Sequence, residues 1–124
     1  MNSKARNVTG WVVSGLVSLA LAASAVDKIL LSAHALEMGA SFGLSAQAYR
    51  TLGVVELLSA VLFVIPRTGL LGLLLLSSYL GGAIATHLQH HQDVLFPAVL
   101  ESLVWIGATL RFSELAQRLV RGDK

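Results

Sequence analysis

The chain of 124 residues is one domain's worth of sequence, 55% hydrophobic and only 13% charged, with a mean hydropathy of +0.72. A soluble domain carries about a quarter charged residues, and so much apolar surface cannot be hidden in a core this small; a soluble globule is excluded and lipid is the expected solvent. The formal charge of +2 comes without a basic face interleaved with aromatics, which excludes a nucleic-acid partner, and the lack of cysteine excludes disulfide and thiol chemistry within the chain.

Residues 2–7 are polar, with Lys4 and Arg6, and Trp11 follows where an interfacial anchor belongs. Residues 8–31 form the first expected span, since roughly 20 apolar residues cross the hydrocarbon. Ala23-Ser24-Ala25 also fits the cleavage site of a signal peptide, but the apolar run continues past Asp27-Lys28 to Leu31, which favours a span. Ser14, Ser18 and Ala22 recur every fourth residue, a stripe suited to close helix packing. In the connection over residues 32–47, Gly39 and Gly43 argue against a continuous helix. A short surface or re-entrant helix near Met38 and Phe42 is compatible with them.

The second expected span covers residues 48–65. Gly53, Glu56 and Ala60 share one helix face there, the face expected to meet neighbouring helices. Pro66 disfavours helix at Ile65 and ends the run, and Gly69 frees the turn. The third span is residues 69–88, where Ser77, Gly81 and Ala85 form a small-residue ridge beside Ser78, Gly82 and Thr86. That pattern predicts a helix packed on more than one side. A histidine-rich loop, HLQHHQD, leads to the fourth span at residues 94–111, with Pro97 in its first turn. The tail, residues 112–124, reads as an amphipathic helix lying on the membrane surface.

The expected fold is therefore all-α, a single-domain integral membrane four-helix bundle. With four spans, Lys4, Arg6, Arg67, Arg111, Arg118, Arg121 and Lys124 share one side, and only Lys28 and Arg50 approach the other. The excess of positive charge places both termini in the cytoplasm.

Depth follows from the helical rise of 1.5 Å per residue: Glu56 and Glu101 each lie about 15 Å from the cytoplasmic end, and Tyr79 is level with both. Charged groups at that depth are costly unless they face inward, share a proton or pair with a cation. Asp27, Lys28, Arg50, Thr86 and His87 continue this polar column toward the outer surface. Asp27 and Lys28 are expected to form a local ion pair at the rim. His87 and His91, at i and i+4, are the candidates for a metal, but a merely polar loop is the simpler reading and no metal site is expected. No phosphate loop, nucleophile elbow or HExxH motif is present.

The run Gly53-Val54-Val55-Glu56-Leu57-Leu58, then Ile65-Pro66-Arg67-Thr68 with Gly72, Tyr79-Leu80-Gly81-Gly82-Ala83 and Thr86-His87-Leu88, resembles the DoxX-like family of small four-helix bacterial membrane proteins. Lys28, the basic residue closing the first span, is similar to the family's basic position, and Glu56 and His87 match its recurring acid and histidine. The resemblance implies the bacterial inner membrane and a likeness to the membrane subunit of thiosulfate:quinone oxidoreductases, with relatives linked to oxidative stress or sulfur metabolism.

The leading expectation is a pocket lined by Lys28, Arg50, Glu56, Tyr79, His87 and Glu101 that takes a quinone or lipid-like ligand. The chain would then be a non-autonomous subunit of a redox or stress-related system, and any enzymatic part would be that of an oxidoreductase subunit; no catalytic residue stands out. The alternatives are a proton-coupled transporter of lipophilic cations and an amine- or sterol-binding bundle with paired carboxylates. Partners compatible with the pattern are a membrane or peripheral redox protein and a second copy of the chain.

Overall fold

The computed structural model describes residues 2–121, and every regular element among them is helical. Helix α1 (Ser3–Leu30) starts at Asn2, whose side chain accepts from the Ala5 amide, and stops where Leu31 turns left-handed at φ 51°. A short α2 (Ala33–Ser41) follows, capped by Ser32; Gly43, at φ 71°, makes the turn that an L side chain would resist. Helix α3 (Ala46–Val64) is capped by Ser45. It ends as the sequence requires, with Ile65 extended ahead of Pro66, and a 3-10 turn over Pro66–Thr68 leads into α4 (Gly69–Gln89). Helix α5 (Leu95–Arg111) begins with its Leu95 amide bonded to Asp93.

Three helices, α1, α3 and α4, are long and apolar enough to cross a membrane. Helix α5 has 17 residues and reaches that length only together with the tail helix, from which it is bent by 108°. The tail comprises α6 (Ser113–Ala116) and a π-helical turn (Gln117–Arg121). The described part of the tail is thus helical without interruption from Ser113 to Arg121, and Lys124 lies outside the described residues.

Helix α1 packs on α3 and α5, and α4 packs on the same two, so that among the described residues α1 and α4 lie across the bundle from each other. Leu21, Phe63, Leu73, Leu76, Leu80 and Val104 fill the centre. Leucines such as Leu16, Leu19, Leu58 and Leu74 face outward, as expected where the surroundings are hydrocarbon. In lipid there is no hydrophobic drive between helices, so close backbone approach carries the association. Gly53 lies against Ala25 and Lys28, Gly72 against the backbone of Phe63, and Gly107 against Ser14. The Ser14 and Ser18 part of the small stripe is buried, in keeping with that role.

Helix α4 packs on two sides, against α3 and α5, as expected, but not through the paired ridges. Ser78, Gly81, Gly82 and Ala85 are exposed, and a Cβ on Gly81 or Gly82 would meet nothing within 4 Å. The stripe Gly69-Gly72-Leu73-Leu76-Leu80 has the i, i+3, i+4 spacing that turns inward, and the serine–glycine rows are left beside it, on the outside.

Arg111 ties the end away from the α2 connection together. Its Nη2 donates to Phe63 O at 2.8 Å, and the guanidinium stacks over Trp11, Phe63 and Phe112 at 4.0, 4.8 and 4.9 Å. Its Nε and Nη1 are buried with no hydrogen-bond partner among the described residues, so the ring faces are what they meet. Arg111→Met keeps the length and removes these contacts; unfolding in mixed detergent micelles should show a loss of about 1–3 kcal/mol. Arg111→Lys should recover little of it, because an ammonium lacks the planar face.

Candidate functional site

At the end where α2 lies, the helices part around a cavity of about 450 Å³. Its wall draws on the last turns of α1 and α4, the first turns of α3 and α5, and α2. The polar groups gather where α1 meets α3. Lys28 and Ser24 are one turn apart on α1, and Lys28 Nζ donates to Ser24 Oγ at 2.6 Å and to Glu56 Oε1 at 3.0 Å. Tyr79 OH, from α4, donates to the same oxygen at 3.1 Å, and Ser24 Oγ approaches it at 3.4 Å. Glu56 is 2% exposed and the Lys28 side chain 12%. Gly53 makes this approach possible: its missing side chain lets α3 come against Lys28 Cβ, which brings carboxylate and ammonium into contact.

Four of the six expected residues, Lys28, Glu56, Tyr79 and His87, therefore line one cavity. Two do not. Arg50 is exposed, and its Nε donates to Ile29 O at 2.9 Å, tying the start of α3 to the end of α1. Glu101 sits apart from Glu56 near Ser77 and Trp105, its Oε1 buried without a hydrogen-bond partner among the described residues. Equal depth placed both carboxylates at one level, but their azimuths differ, and the paired-carboxylate arrangement does not form.

Two further expectations are corrected. Asp27 and Lys28 make no ion pair, because neighbours in sequence on a helix do not face each other. Asp27 instead accepts from Ser32 Oγ and sits 3.1 Å from His34 Nδ1 at the cavity mouth, while Lys28 turns inward. His87 and His91 share no helix face either, since α4 stops at Gln89 and His91 adopts φ 57°. Among the described residues no group of three His, Cys, Asp or Glu is placed to hold a metal. His87 and His90 flank the Phe42 ring at 4.8 and 6.0 Å and so hold α2 over the cavity.

Sequence reasoning missed Ser24, Tyr49 and His34 as wall residues. The first two carried a signal: Ser24 precedes Lys28 by four residues, and Tyr49 precedes Gly53 by four, each on the face of a residue already singled out. His34 carried none, because its place depends on how Leu31 turns the chain.

The model of the DoxX-like family matches residues 12–107, which takes in most of α1, all of α2 to α4 and most of α5. No curated protein and no solved structure matches the chain.

Proposed function

The chain belongs to the DoxX-like family, and on that premise we propose that this multi-pass membrane protein holds the head of a quinone or lipid-like molecule in the cavity around Glu56. In this reading α5 is the fourth span, both termini are cytoplasmic, and the protein serves a redox or stress-related system of the bacterial inner membrane as a subunit that acts with a partner. Arg6, Arg67 and Arg111 lie at the end opposite the cavity, where Arg6 bonds to Thr109 O and Arg111 to Phe63 O, which supports that orientation.

The observation that carries the reading is the network of Lys28, Glu56, Tyr79 and Ser24 on the wall of a cavity whose other lining, apart from Asp27, His34, Thr86 and His87, is apolar or aromatic. Ionisable groups within a membrane helix mark a functional site by default. Phe42, Tyr49 and Phe96 supply flat apolar walls for a ring or the first methylenes of a tail. A quinone fits the space and has one donor to meet, the Lys28 ammonium. The exporter reading is weaker, because Lys28 already occupies Glu56 and a lipophilic cation would have to displace it.

Titration of the purified protein with a short-tailed quinone supplied in its oxidised and its reduced form tests this. At least one form should bind saturably, with affinity about tenfold or more weaker in Glu56→Gln, the range for a hydrogen bond to a charged group. Equal affinity in wild type and variant would remove Glu56 and its cavity as the site.

A further inference from the structure

We infer that the cavity selects a head bearing a hydroxyl over its carbonyl or ether counterpart, the hydroxyl donating to Glu56 and accepting from Lys28. This rests on the reading that the cavity holds an amphipathic molecule, and adds which chemistry its head must carry. The argument is one of unfilled hydrogen-bond positions.

Lys28, Tyr79 and Ser24 all reach one oxygen of Glu56, Oε1. The other, Oε2, has no donor among the described residues, although Glu56 is 2% exposed and lines the cavity. An ionised carboxylate accepts at about four lone-pair positions, so one bare oxygen in an apolar setting is an acceptor awaiting a donor.

Lys28 has three N–H donors. Two are directed at Ser24 Oγ and Glu56 Oε1, which leaves one beside the Tyr49 ring, whose centroid is 5.4 Å from Nζ.

A hydroxyl satisfies both kinds of position, donating to Glu56 Oε2 while accepting from Lys28. A carbonyl or an ether brings lone pairs alone. It can take the Lys28 proton, but it leaves Oε2 bare and sets lone pair against lone pair. For a quinone the same rule favours the reduced, dihydroxy form; each tenfold preference raises the midpoint potential of the bound two-electron couple by about 30 mV. Phenols, sterols and long-chain alcohols share this head chemistry.

The test uses wild-type protein in nanodiscs and two matched pairs: 4-heptylphenol against its methyl ether, and duroquinol against duroquinone under anaerobic conditions. Calorimetric titration should give the hydroxyl member of each pair an affinity roughly 10- to 100-fold higher. Glu56→Gln should bring the ratio toward one, but the wild-type ratio decides even where that variant fails to fold. Ratios within threefold of one, or favouring ether and quinone, overturn the inference and leave the cavity reading standing. Failure of all four compounds to bind overturns the cavity reading, and the inference with it.

Discussion

Lys28→Met should destabilise the protein by about 3–5 kcal/mol, the range for removing one partner of a buried ion pair. The pair is 3.0 Å apart with side chains 12% and 3% exposed, so both charges are largely withdrawn from the surroundings. Methionine fills the volume of the lysine stem, which confines the loss to the stranded Glu56 carboxylate. The double variant Lys28→Met, Glu56→Gln should regain most of the stability, because a neutral amide can still accept from Tyr79 and Ser24. Unfolding by SDS in mixed micelles, followed by Trp fluorescence, measures both. A double variant as unstable as the single one would mean that packing around α1, rather than the ion pair, is what the lysine provides.

The second large effect belongs to a residue with no chemistry at all. Gly72→Ala should cost about 3 kcal/mol, the upper part of the usual range for overpacking. A Cβ there would overlap the backbone N and Cα of Phe63 and meet Leu62 C at 2.7 Å, and backbone cannot step aside as a side-chain tip can. Helices α3 and α4 would have to separate at the point where Phe63 plugs the centre. Gly81→Ala, nine residues further on the same helix, is the control. It faces open space and should change stability by no more than about 0.5 kcal/mol, or raise it through better helix propensity.

Those two glycines also mark how far the sequence could be read. Membrane character and the end of α3 were legible because they rest on local signals: apolar runs and the Pro66 stop. Glu56 was legible as an interior group because charge in an apolar run has few places to go, whereas Lys28 was read both as a wall residue and as half of a rim pair with Asp27. Azimuth was not legible. Gly72 and Gly81 look alike in sequence, and which of them touches a neighbour is set by where Leu73, Leu76 and Leu80 point. Glu101 went astray for the same reason: height along a helix comes from counting residues, whereas direction around it depends on which neighbours it has. The histidine pair failed on a boundary, since a helix ending at Gln89 cannot carry its periodicity to His91.

Unequal rod lengths have a consequence for the surroundings. At 1.5 Å per residue α1 is about 42 Å long and α5 about 25 Å, against a hydrocarbon slab of roughly 30 Å. In the four-span reading proposed above, the long rod is accommodated by leaning and the short one by drawing the two leaflets together beside it. Acyl-chain length thus becomes a variable in how widely the α1 and α5 ends splay.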